Sequence, residues 1–315
     1  MPARTITVIG STNVDMISRL DHLPAVGESV TGGTFLQTYG GKGANQAVAA
    51  ARAGGEVSFI TCLGDDQYAP QIIQNFRNDG IDTSGVIKRK EVHTGVALVL
   101  VDQHGRNSIA IASGANFAIT AADIVHETDC IREAALIVMQ NEISPEAAIR
   151  AIDIAHSARI PVMFNYAPVS GVPVPVSAKM NMLVVNETEA SQLAGMDVIG
   201  VDGARDAAYQ LHEMGPAVVI VTLGPDGSYV VHQNHGYHVP AYKVKVLDTT
   251  AAGDTFCGAL AAAILEEMSL EHAVRFATAA SAISVTRVGA WPSIPKRQEI
   301  DAFAEKMQEA GPTPA

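Results

Sequence analysis

A stretch near the C-terminus reads Asp248-Thr249-Thr250-Ala251-Ala252-Gly253-Asp254-Thr255-Phe256. It follows Tyr242–Leu247, whose valines predict a strand, and precedes an Ala-rich segment from Cys257 that is apolar on nearly every side and predicts a buried helix. The small residues permit a tight turn that leaves unpaired N–H groups at the helix start, where an anion is favoured. Asp254 in the first turn is either a helix-stabilising carboxylate or a catalytic base beside a phosphate site.

Composition limits the classes of protein to consider. At 315 residues, with 48% hydrophobic and 17% charged residues, the chain is long enough for one large α/β domain or two smaller ones. A net charge of −12 argues against general nucleic-acid binding, and no apolar run approaches the ~18 residues of a membrane span. Cys62, Cys130 and Cys257 lack metal-ligand spacing, which predicts reduced thiols. With no signal peptide predicted, we expect a cytoplasmic protein.

The N-terminal segment predicts a strand that leads toward a binding site. Thr5–Gly10 is short, apolar and typical of a buried parallel strand. Asp15 follows near its C-terminal end, the edge where α/β sheets bind ligands. It is a candidate to accept hydrogen bonds from sugar hydroxyls, and the alternative is an ordinary turn aspartate.

Two β-rich insertions interrupt the α/β pattern. Short β-like segments, Val30-Thr31 and Thr34–Leu36, alternate with proline and glycine between Met16 and Tyr39, which predicts an antiparallel excursion. Thr94–Asp102 and Ser108–Ala112 predict a hairpin. We expect the two insertions, about residues 12–39 and 92–116, to pair as a small sheet that forms a lid over Asp15 and Lys42.

A second glycine-rich stretch, Gly40-Gly41-Lys42-Gly43-Ala44-Asn45-Gln46, opens a predicted helix that runs to Ala53. Lys42 is not followed by the Ser or Thr of a Walker A loop, and the glycine spacing is not the dinucleotide-binding G-x-G-x-x-G, which disfavours a dinucleotide-dependent oxidoreductase. Lys42 and Asn45 are candidates to bind a polyol, and the alternative is a solvated lysine at a glycine-rich helix start.

The rest of the chain alternates between predicted strands and helices, as expected of a parallel sheet covered on both faces. A helix is predicted over Asp65–Asp79. Strands are predicted at Ala135–Gln140, Pro161–Asn165, Met182–Val185 and Ala217–Thr222. Polar residues follow several of these strands, among them Glu142 and Asn186, and a helix is predicted to begin at Pro145, a position that proline tolerates.

The two glycine-containing stretches resemble the two signature regions of the ribokinase-like (PfkB) sugar kinases. Further segments match that family in order: Asn13-Val14-Asp15, Gln140-Asn141-Glu142, Asn186-Glu187-Thr188-Glu189, Thr222-Leu223-Gly224, and Thr286-Arg287 followed by Gly289 and Ser293. The resemblance spans nearly the whole chain. It implies one kinase domain over residues 1–315, an α/β three-layer sandwich with a mostly parallel central sheet and a small β-sheet lid, and a homodimer formed through the lid.

The resemblance also implies an activity and a set of site residues. The family transfers the γ-phosphoryl group of ATP to a sugar hydroxyl; we expect D-ribose as the sugar, with deoxyribose, fructose, another sugar or a nucleoside as alternatives. Asp254 would be the base, and the N–H groups from Ala251, Ala252, Gly253 and Asp254 an anion hole. The sugar would be bound by Asn13, Asp15, Gly41, Lys42, Asn45, Glu142 and Asp254. The nucleotide would be bound by Asn186, Thr222, Gly224, Gly227, Gly253 and Thr278. Glu189 would hold Mg²⁺ through water, and Asp248, Thr250, Ser284, Arg287, Gly289 and Ser293 would hold K⁺.

Three residues depart from the family pattern. Thr278 stands where an asparagine near the adenine is usual, Cys257 where asparagine commonly follows Thr-Phe, and Tyr166 where proline is frequent. None of the three removes a catalytic group. A catalytically silent sugar- or nucleotide-binding protein is the alternative class, against which the presence of Asp254 and Glu189 argues, because binding alone needs no base.

Overall fold

The computed structural model describes residues 4–169 and 174–309. The strands are β1 (Thr5–Ile9), β2 (Asn13–Arg19), β3 (Thr34–Gly40), β4 (Glu56–Gly64), β5 (Val86–Arg89), β6 (Gly95–Val101), β7 (Asn107–Ala112), β8 (Leu136–Gln140), β9 (Val162–Asn165), β10 (Met182–Asn186), β11 (Val218–Thr222), β12 (Ser228–His232) and β13 (His235–Val239). The helices are α1 (Lys42–Arg52), α2 (Ala69–Asn78), α3 (Ala121–His126), α4 (Thr128–Glu133), α5 (Pro145–Ala158), α6 (Glu187–Ala194), α7 (Gly200–Glu213), α8 (Ala252–Leu265), α9 (Leu270–Ser284) and α10 (Arg297–Glu309).

A nine-stranded sheet forms the centre of the molecule, in the order β13-β12-β11-β10-β9-β8-β1-β4-β5. The strands from β11 to β5 pair in parallel, whereas β12 pairs antiparallel with both of its neighbours. Parallel pairing brings the carboxyl ends of these strands to one edge of the sheet. That edge is where α/β sheets bind ligands.

Each face of the central sheet has its own hydrophobic core. Val8 packs with residues of α1, α8 and α9, while the next residue, Ile9, packs with residues of α5 and α7; both are completely buried. Successive side chains of a strand point to opposite faces, so a strand covered on both sides is apolar throughout. The result is the predicted three-layer α/β sandwich.

A separate four-stranded sheet, in the order β3-β2-β6-β7, is built from the two insertions, as predicted. β2 pairs antiparallel with β3 and parallel with β6, and β6 forms a hairpin with β7. Residues 13–19 were not predicted to be a strand. The structure therefore places Asp15 inside β2 rather than in a turn after β1.

Other boundaries differ from the sequence prediction for identifiable reasons. Tyr242–Leu247 was predicted to be a strand and is not one: beyond β13 it has no neighbouring strand to pair with, and β-propensity needs such a partner. Val30 and Thr31 likewise lie outside any strand. The helix predicted from Asp65 begins only at Ala69, because Asp66 Oδ1 accepts from the amides of Tyr68 and Ala69 and its Oδ2 from that of Thr94.

The helix starts that matter for the site agree with prediction. α1 begins directly after Gly41, whose φ of 89° favours glycine, and a Cβ there would lie 2.8 Å from Thr12 Cα. α5 begins with Pro145 behind Ser144, which accepts a hydrogen bond from the amide of Ala147. Within the described ranges, no helix combines the length and the apolar character that crossing a membrane requires.

Candidate active site

Asp254 lies in the first turn of α8 and is held by two side chains of α1. Asn45 Nδ2 donates to its Oδ2 at 2.9 Å, and Gln46 Nε2 donates to its Oδ1 at 3.0 Å. Asp254 is only 6% exposed, and the extensive contact between α1 and α8 fixes the distance between these side chains. Each carboxylate oxygen retains a free lone pair, so Asp254 can accept a further proton or hydrogen bond.

The backbone before Asp254 leaves N–H groups without acceptors. Ala251 adopts the left-handed conformation, with φ of 59°, at the N-cap of α8, which for alanine costs on the order of 1 kcal/mol or more. Ala252 donates to Thr249 O and Thr255 to Ala251 O, but the amides of Gly253 and Asp254 find no acceptor among the described residues. A Cβ built on Gly253 would meet nothing within 4 Å. The start of α8 is therefore an open site with the properties that bind an anion.

Glu142 joins the ends of β1 and β8 to the start of α1. Its Oε2 accepts from Ser11 Oγ at 2.5 Å and from the amide of Lys42 at 3.0 Å. Asp15, on β2, lies near both Glu142 and Asp254. Burial, together with the negative charges of these two residues, raises the pKa of Asp15 to about 7. Three carboxylates from distant parts of the sequence thus lie close enough to influence one another.

Lys42 supplies positive charge to this acidic group. Its ammonium forms no ion pair within 4 Å in the described part of the chain. Burial would lower the pKa of Lys42, but the negative charges of Asp254, Glu142 and Glu189 outweigh burial and raise it. Lys42 is therefore a protonated amine, free to bind a negatively charged or hydroxylated ligand.

A cavity of about 150 Å³ lies between the small sheet and the strand ends. Its walls combine polar groups with an apolar side; the lining residues are Asn13, Ile111, Ser113, Asn116, Phe117, Asn141, Glu142 and Pro168. Asn116 orders one wall by accepting from the amide of Thr12 and donating to Asn13 Oδ1. Two buried polar atoms of this region, Asn45 Oδ1 and Asn141 Nδ2, have no hydrogen-bond partner within the described ranges. Such atoms are expected where a polar ligand completes the hydrogen bonding.

Asn186 and Glu189, at the next strand end, hold each other. Glu189 Oε2 accepts from the amide of Asn186, and Asn186 Oδ1 accepts from the amide of Glu189, which is a capping box at the start of α6. Burial raises the pKa of Glu189 even though the Asn186 amide and Lys42 act to lower it. Both side chains have a structural role, and Glu189 Oε1 and the amino group of Asn186 form no hydrogen bond with any described residue.

The other predicted nucleotide residues lie farther along the sheet edge. Thr222 ends β11, and Gly224 and Gly227 form the positive-φ turn into β12, where a Cβ on Gly227 would lie 2.1 Å from Val239 O. Thr278 is buried on α9, and its hydroxyl donates to Val274 O. Over residues 4–169 and 174–309, none of these four is hydrogen-bonded to Asp254 or Lys42.

The predicted cation site connects the turn before α8 with the loop after α9. Asp248 Oδ1 accepts from the amide and hydroxyl of Thr250, and its Oδ2 accepts from the amide of Gly289. Burial acts to raise the pKa of Asp248, but these hydrogen bonds, together with the charge of Arg19, lower it overall. The carbonyl oxygens of Thr250, Arg287 and Gly289 accept no hydrogen bond from any described residue. Unused carbonyls around a carboxylate suit a monovalent cation.

The remaining predicted cation residues have mixed roles. The hydroxyls of Ser284 and Ser293 are buried and donate to Ser281 O and Ala290 O, whereas the side chain of Arg287 pairs with Glu299. Only the backbone of Arg287 is thus free to face the site. For a divalent ion, the described residues contain no group of three or more His, Cys, Asp or Glu side chains arranged as ligands.

Sequence reasoning missed four polar residues that order this site. Gln46, Gln140 and Asn165 form a buried amide chain behind Asp254, and Ser11 holds Glu142. A usable signal existed, because Gln140 and Asn165 end apolar strands at the carboxyl edge. Of the three departures, Cys257 and Tyr166 are buried; burial raises the pKa of both, and the Tyr166 hydroxyl donates to Val174 O.

Comparison with known proteins agrees with this arrangement. A family model described as the pfkB family carbohydrate kinase matches residues 3–297. A ribokinase of Haemophilus influenzae is 38% identical over 302 residues, covering 96% of this chain and 99% of that protein. A deoxyribokinase of Salmonella typhi is 36% identical over 299 residues, with 95% and 98% covered.

The fold has equally full counterparts among solved structures. The structure of Arabidopsis thaliana ribokinase complexed with ribose and ATP superposes with a TM-score of 0.87 at 31% identity, covering 96% of this chain and 98% of that one. The matches run through both glycine-containing stretches and all the strand ends that carry the site. The chain belongs to the pfkB family of carbohydrate kinases.

Proposed function

We propose that this carbohydrate kinase transfers the γ-phosphoryl group of ATP to D-ribose and forms ribose 5-phosphate. One observation supports this most directly: a carboxylate held by two amides, Asp254, lies beside unpartnered backbone N–H groups at the start of α8. A base and an anion site at one helix start are what phosphoryl transfer to a hydroxyl needs. Ribose is favoured by the ribokinases among the relatives and by the ribose and ATP complex of the Arabidopsis protein.

The sugar would occupy the cavity between the small sheet and the strand ends. Asp15 and Glu142 would accept hydrogen bonds from its hydroxyls, while Lys42 and Asn45 approach from the start of α1. Asn13 lines the same cavity, and the Gly41 backbone lies where a side chain would not fit. A 150 Å³ space with several polar groups and one apolar wall suits a pentose in size and chemistry.

In the reaction, the sugar hydroxyl oxygen forms a bond to the γ-phosphorus as the bond from that phosphorus to the β-phosphate oxygen breaks. The hydroxyl proton passes to Asp254, and ADP leaves. Backbone amides from Ala251 to Asp254 would stabilise the charge on the transferred group, and Lys42 would add positive charge. Such fixed dipoles need not reorganise as the charge develops.

Nucleotide and metal ions would be bound along the neighbouring strand ends. We propose that Asn186, Thr222, Gly224, Gly227 and Thr278 line the nucleotide site and that Glu189 holds Mg²⁺ through water. Mg²⁺ usually keeps several waters, so it does not require a cluster of protein carboxylates. When bound, it would neutralise phosphate charge. We further propose that Asp248 and the free carbonyls of Thr250, Arg287 and Gly289 hold K⁺, with Ser284 and Ser293 completing the site.

We also propose that residues 1–315 form a single kinase domain in the cytoplasm, with the small sheet as a lid over the sugar. The lid would join two copies of the chain. In the strand register, one face of the small sheet carries a row of four apolar residues, Ile17, Leu36, Val99 and Ile109. Asp15 and Ile111 belong to the next row on the same face, near the cavity. Leu36, Ile109 and Ile111 are exposed, and an apolar face continuous with the cavity is well suited to cover by a second copy.

A substrate panel tests the choice of sugar. ADP release would be measured with ribose, 2-deoxyribose, fructose and a nucleoside, and ribose should give the highest kcat/KM. The deoxyribokinase at 36% identity makes 2-deoxyribose the second candidate. A higher kcat/KM for 2-deoxyribose would show that 2-deoxyribose, and not ribose, is the preferred substrate. Tight ribose binding without any turnover would indicate a binding protein.

Asp254→Asn tests the assignment of the base. The change preserves shape and the hydrogen-bonding neighbours but removes the proton acceptor, so kcat should fall roughly 10²–10⁴-fold while ribose affinity is largely retained. Single-turnover rates and isothermal titration would separate the two effects. Near wild-type turnover in the variant would exclude Asp254 as the base.

A further inference from the structure

Behind Asp254, three buried amide side chains form a continuous hydrogen-bonded chain. Gln46 lies on α1, Gln140 ends β8 and Asn165 ends β9; Gln46 and Gln140 are completely buried, and Asn165 is 8% exposed. Burying an amide is unfavourable unless it is hydrogen-bonded. None of the three side chains lines the cavity, so sugar binding does not explain them.

The hydrogen bonds determine which way the Gln46 amide points. Its Nε2 donates to both Asp254 Oδ1, at 3.0 Å, and Asn165 Oδ1, at 2.9 Å, while its Oε1 accepts from Gln140 Nε2 at 2.7 Å. Asn165 is itself fixed because its Nδ2 donates to Val184 O. A flipped Gln46 would place Oε1 against two oxygens and Nε2 against the Gln140 amino group. Only one orientation of Gln46 therefore gives each of its own polar atoms a partner, whereas Gln140 Oε1 has no partner among the described residues.

That orientation determines what Asp254 can do. With Asn45 on Oδ2 and Gln46 on Oδ1, the carboxylate plane is fixed relative to the open amides of Gly253 and Asp254. Other titratable groups facing Asp254 are Lys42 on α1, Asp15 on β2, Glu189 on α6 and Cys257 on α8 itself.

We propose that Gln46, oriented by Gln140, is a positioning residue that holds the ionised carboxylate of Asp254 toward the reacting hydroxyl. The proposal rests on the proposed role of Asp254 as the base. Gln46 does not touch the substrate. It acts through Asp254, so its removal should affect the chemical step and leave substrate binding nearly unchanged.

Gln46→Met tests this, because methionine has a similar length and no N–H donor. We expect kcat to fall about 10- to 100-fold, the effect of a small misplacement of a reacting group, with the KM values for sugar and ATP changed less than about 3-fold. Gln140→Met should lower kcat in the same way but by a smaller factor.

Gln210→Met is the matched control. Gln210 is also a helical glutamine whose Nε2 donates to a carbonyl, that of Ala194, but it lies on α7 away from the site. Its variant should keep the wild-type kcat even if its thermal midpoint falls. Thermal unfolding of every variant shows whether the measured rates refer to folded protein. If Gln46→Met does not fold, Gln46→Glu takes its place.

A double-mutant cycle separates this proposal from the assignment of the base. If Gln46 acts only through Asp254, Gln46→Met should cause no further loss of kcat in the Asp254→Asn background. The same loss in both backgrounds would overturn the positioning role. So would a folded Gln46→Met with kcat within 2-fold of wild type, or a loss confined to sugar KM. High activity of Asp254→Asn itself would instead exclude Asp254 as the base.

Discussion

Asp15 illustrates a residue whose proposed role in binding comes with a loss of stability. Its carboxyl has a pKa of 3.8 in the unfolded chain and about 7 in the fold, so it weakens the fold progressively as the pH rises through that interval. The folded protein binds the proton more tightly than the unfolded chain does. The same burial prepares the carboxylate to accept sugar hydroxyls without competition from water.

Asp15→Asn should therefore separate stability from binding. At pH 8 the free energy of unfolding should rise, by at most about 4 kcal/mol for a difference of this size, and the gain should shrink toward pH 5. Sugar affinity should fall by about 1.5–3 kcal/mol, since a charged acceptor is lost, while ATP affinity is unchanged. Thermal unfolding and isothermal titration measure the two effects.

Asp21→Asn provides the control for Asp15, because Asp21 is an exposed carboxylate in the same insertion. Asp21→Asn should change neither the free energy of unfolding nor the sugar affinity. Unchanged sugar affinity in Asp15→Asn would remove Asp15 from the sugar site. A thermal midpoint at pH 8 equal to that of wild type would show that its carboxyl is not buried as the structure indicates.

At the scale of elements, the sequence predicted those parts whose signal is local. Apolar strands, the glycine-rich start of α1 and the Ser144-Pro145 start of α5 all lie where expected. Segments that depend on a distant partner were not predictable in this way. Tyr242–Leu247 has strand-forming residues but no neighbouring strand, whereas β2 is a strand because β3 and β6 pair with it. The Gln140–Gln46–Asp254 chain joins residues 94 and 208 positions apart, a separation that no local pattern reveals.

The loop after α9 and the turn before α8 should respond together to K⁺. Asp248 already ties Thr250 to Gly289, and a cation held by the free carbonyls would stiffen the backbone that leads to Gly253. We expect K⁺ to raise kcat with little change in sugar affinity, and Na⁺ to substitute poorly because a site sized for K⁺ coordinates it less well. Rates in tetramethylammonium buffer with and without KCl, at constant ionic strength, measure this. Equal kcat with and without KCl would mean that Asp248 has only a structural role.

At the scale of the whole molecule, the small sheet is the surface through which we propose that two copies of the chain join. One of its faces begins at the cavity with Asp15 and Ile111 and continues outward through Ile17, Val99 and Ile109. Ile109 and Ile111 are each 54% exposed, which for neighbouring isoleucines is unfavourable in water. A second copy packed on this face would bury them and at the same time close the outer side of the sugar cavity.

Ile109→Lys should therefore change both assembly and catalysis. The lysine places a charge at the centre of the proposed interface, so a wild-type dimer should become a monomer in sedimentation velocity at micromolar concentration. Sugar KM should rise because the cavity loses its cover, whereas ATP KM should not, since the proposed nucleotide residues lie at the ends of β10 and β11, in the turn into β12 and on α9. Ser108→Lys is the matched control: Ser108 is the preceding residue of β7 and is exposed on the opposite face, so the same charge there should leave the dimer and the sugar KM intact. A monomeric wild type, or loss of the dimer in both variants, would exclude this face as the contact between copies.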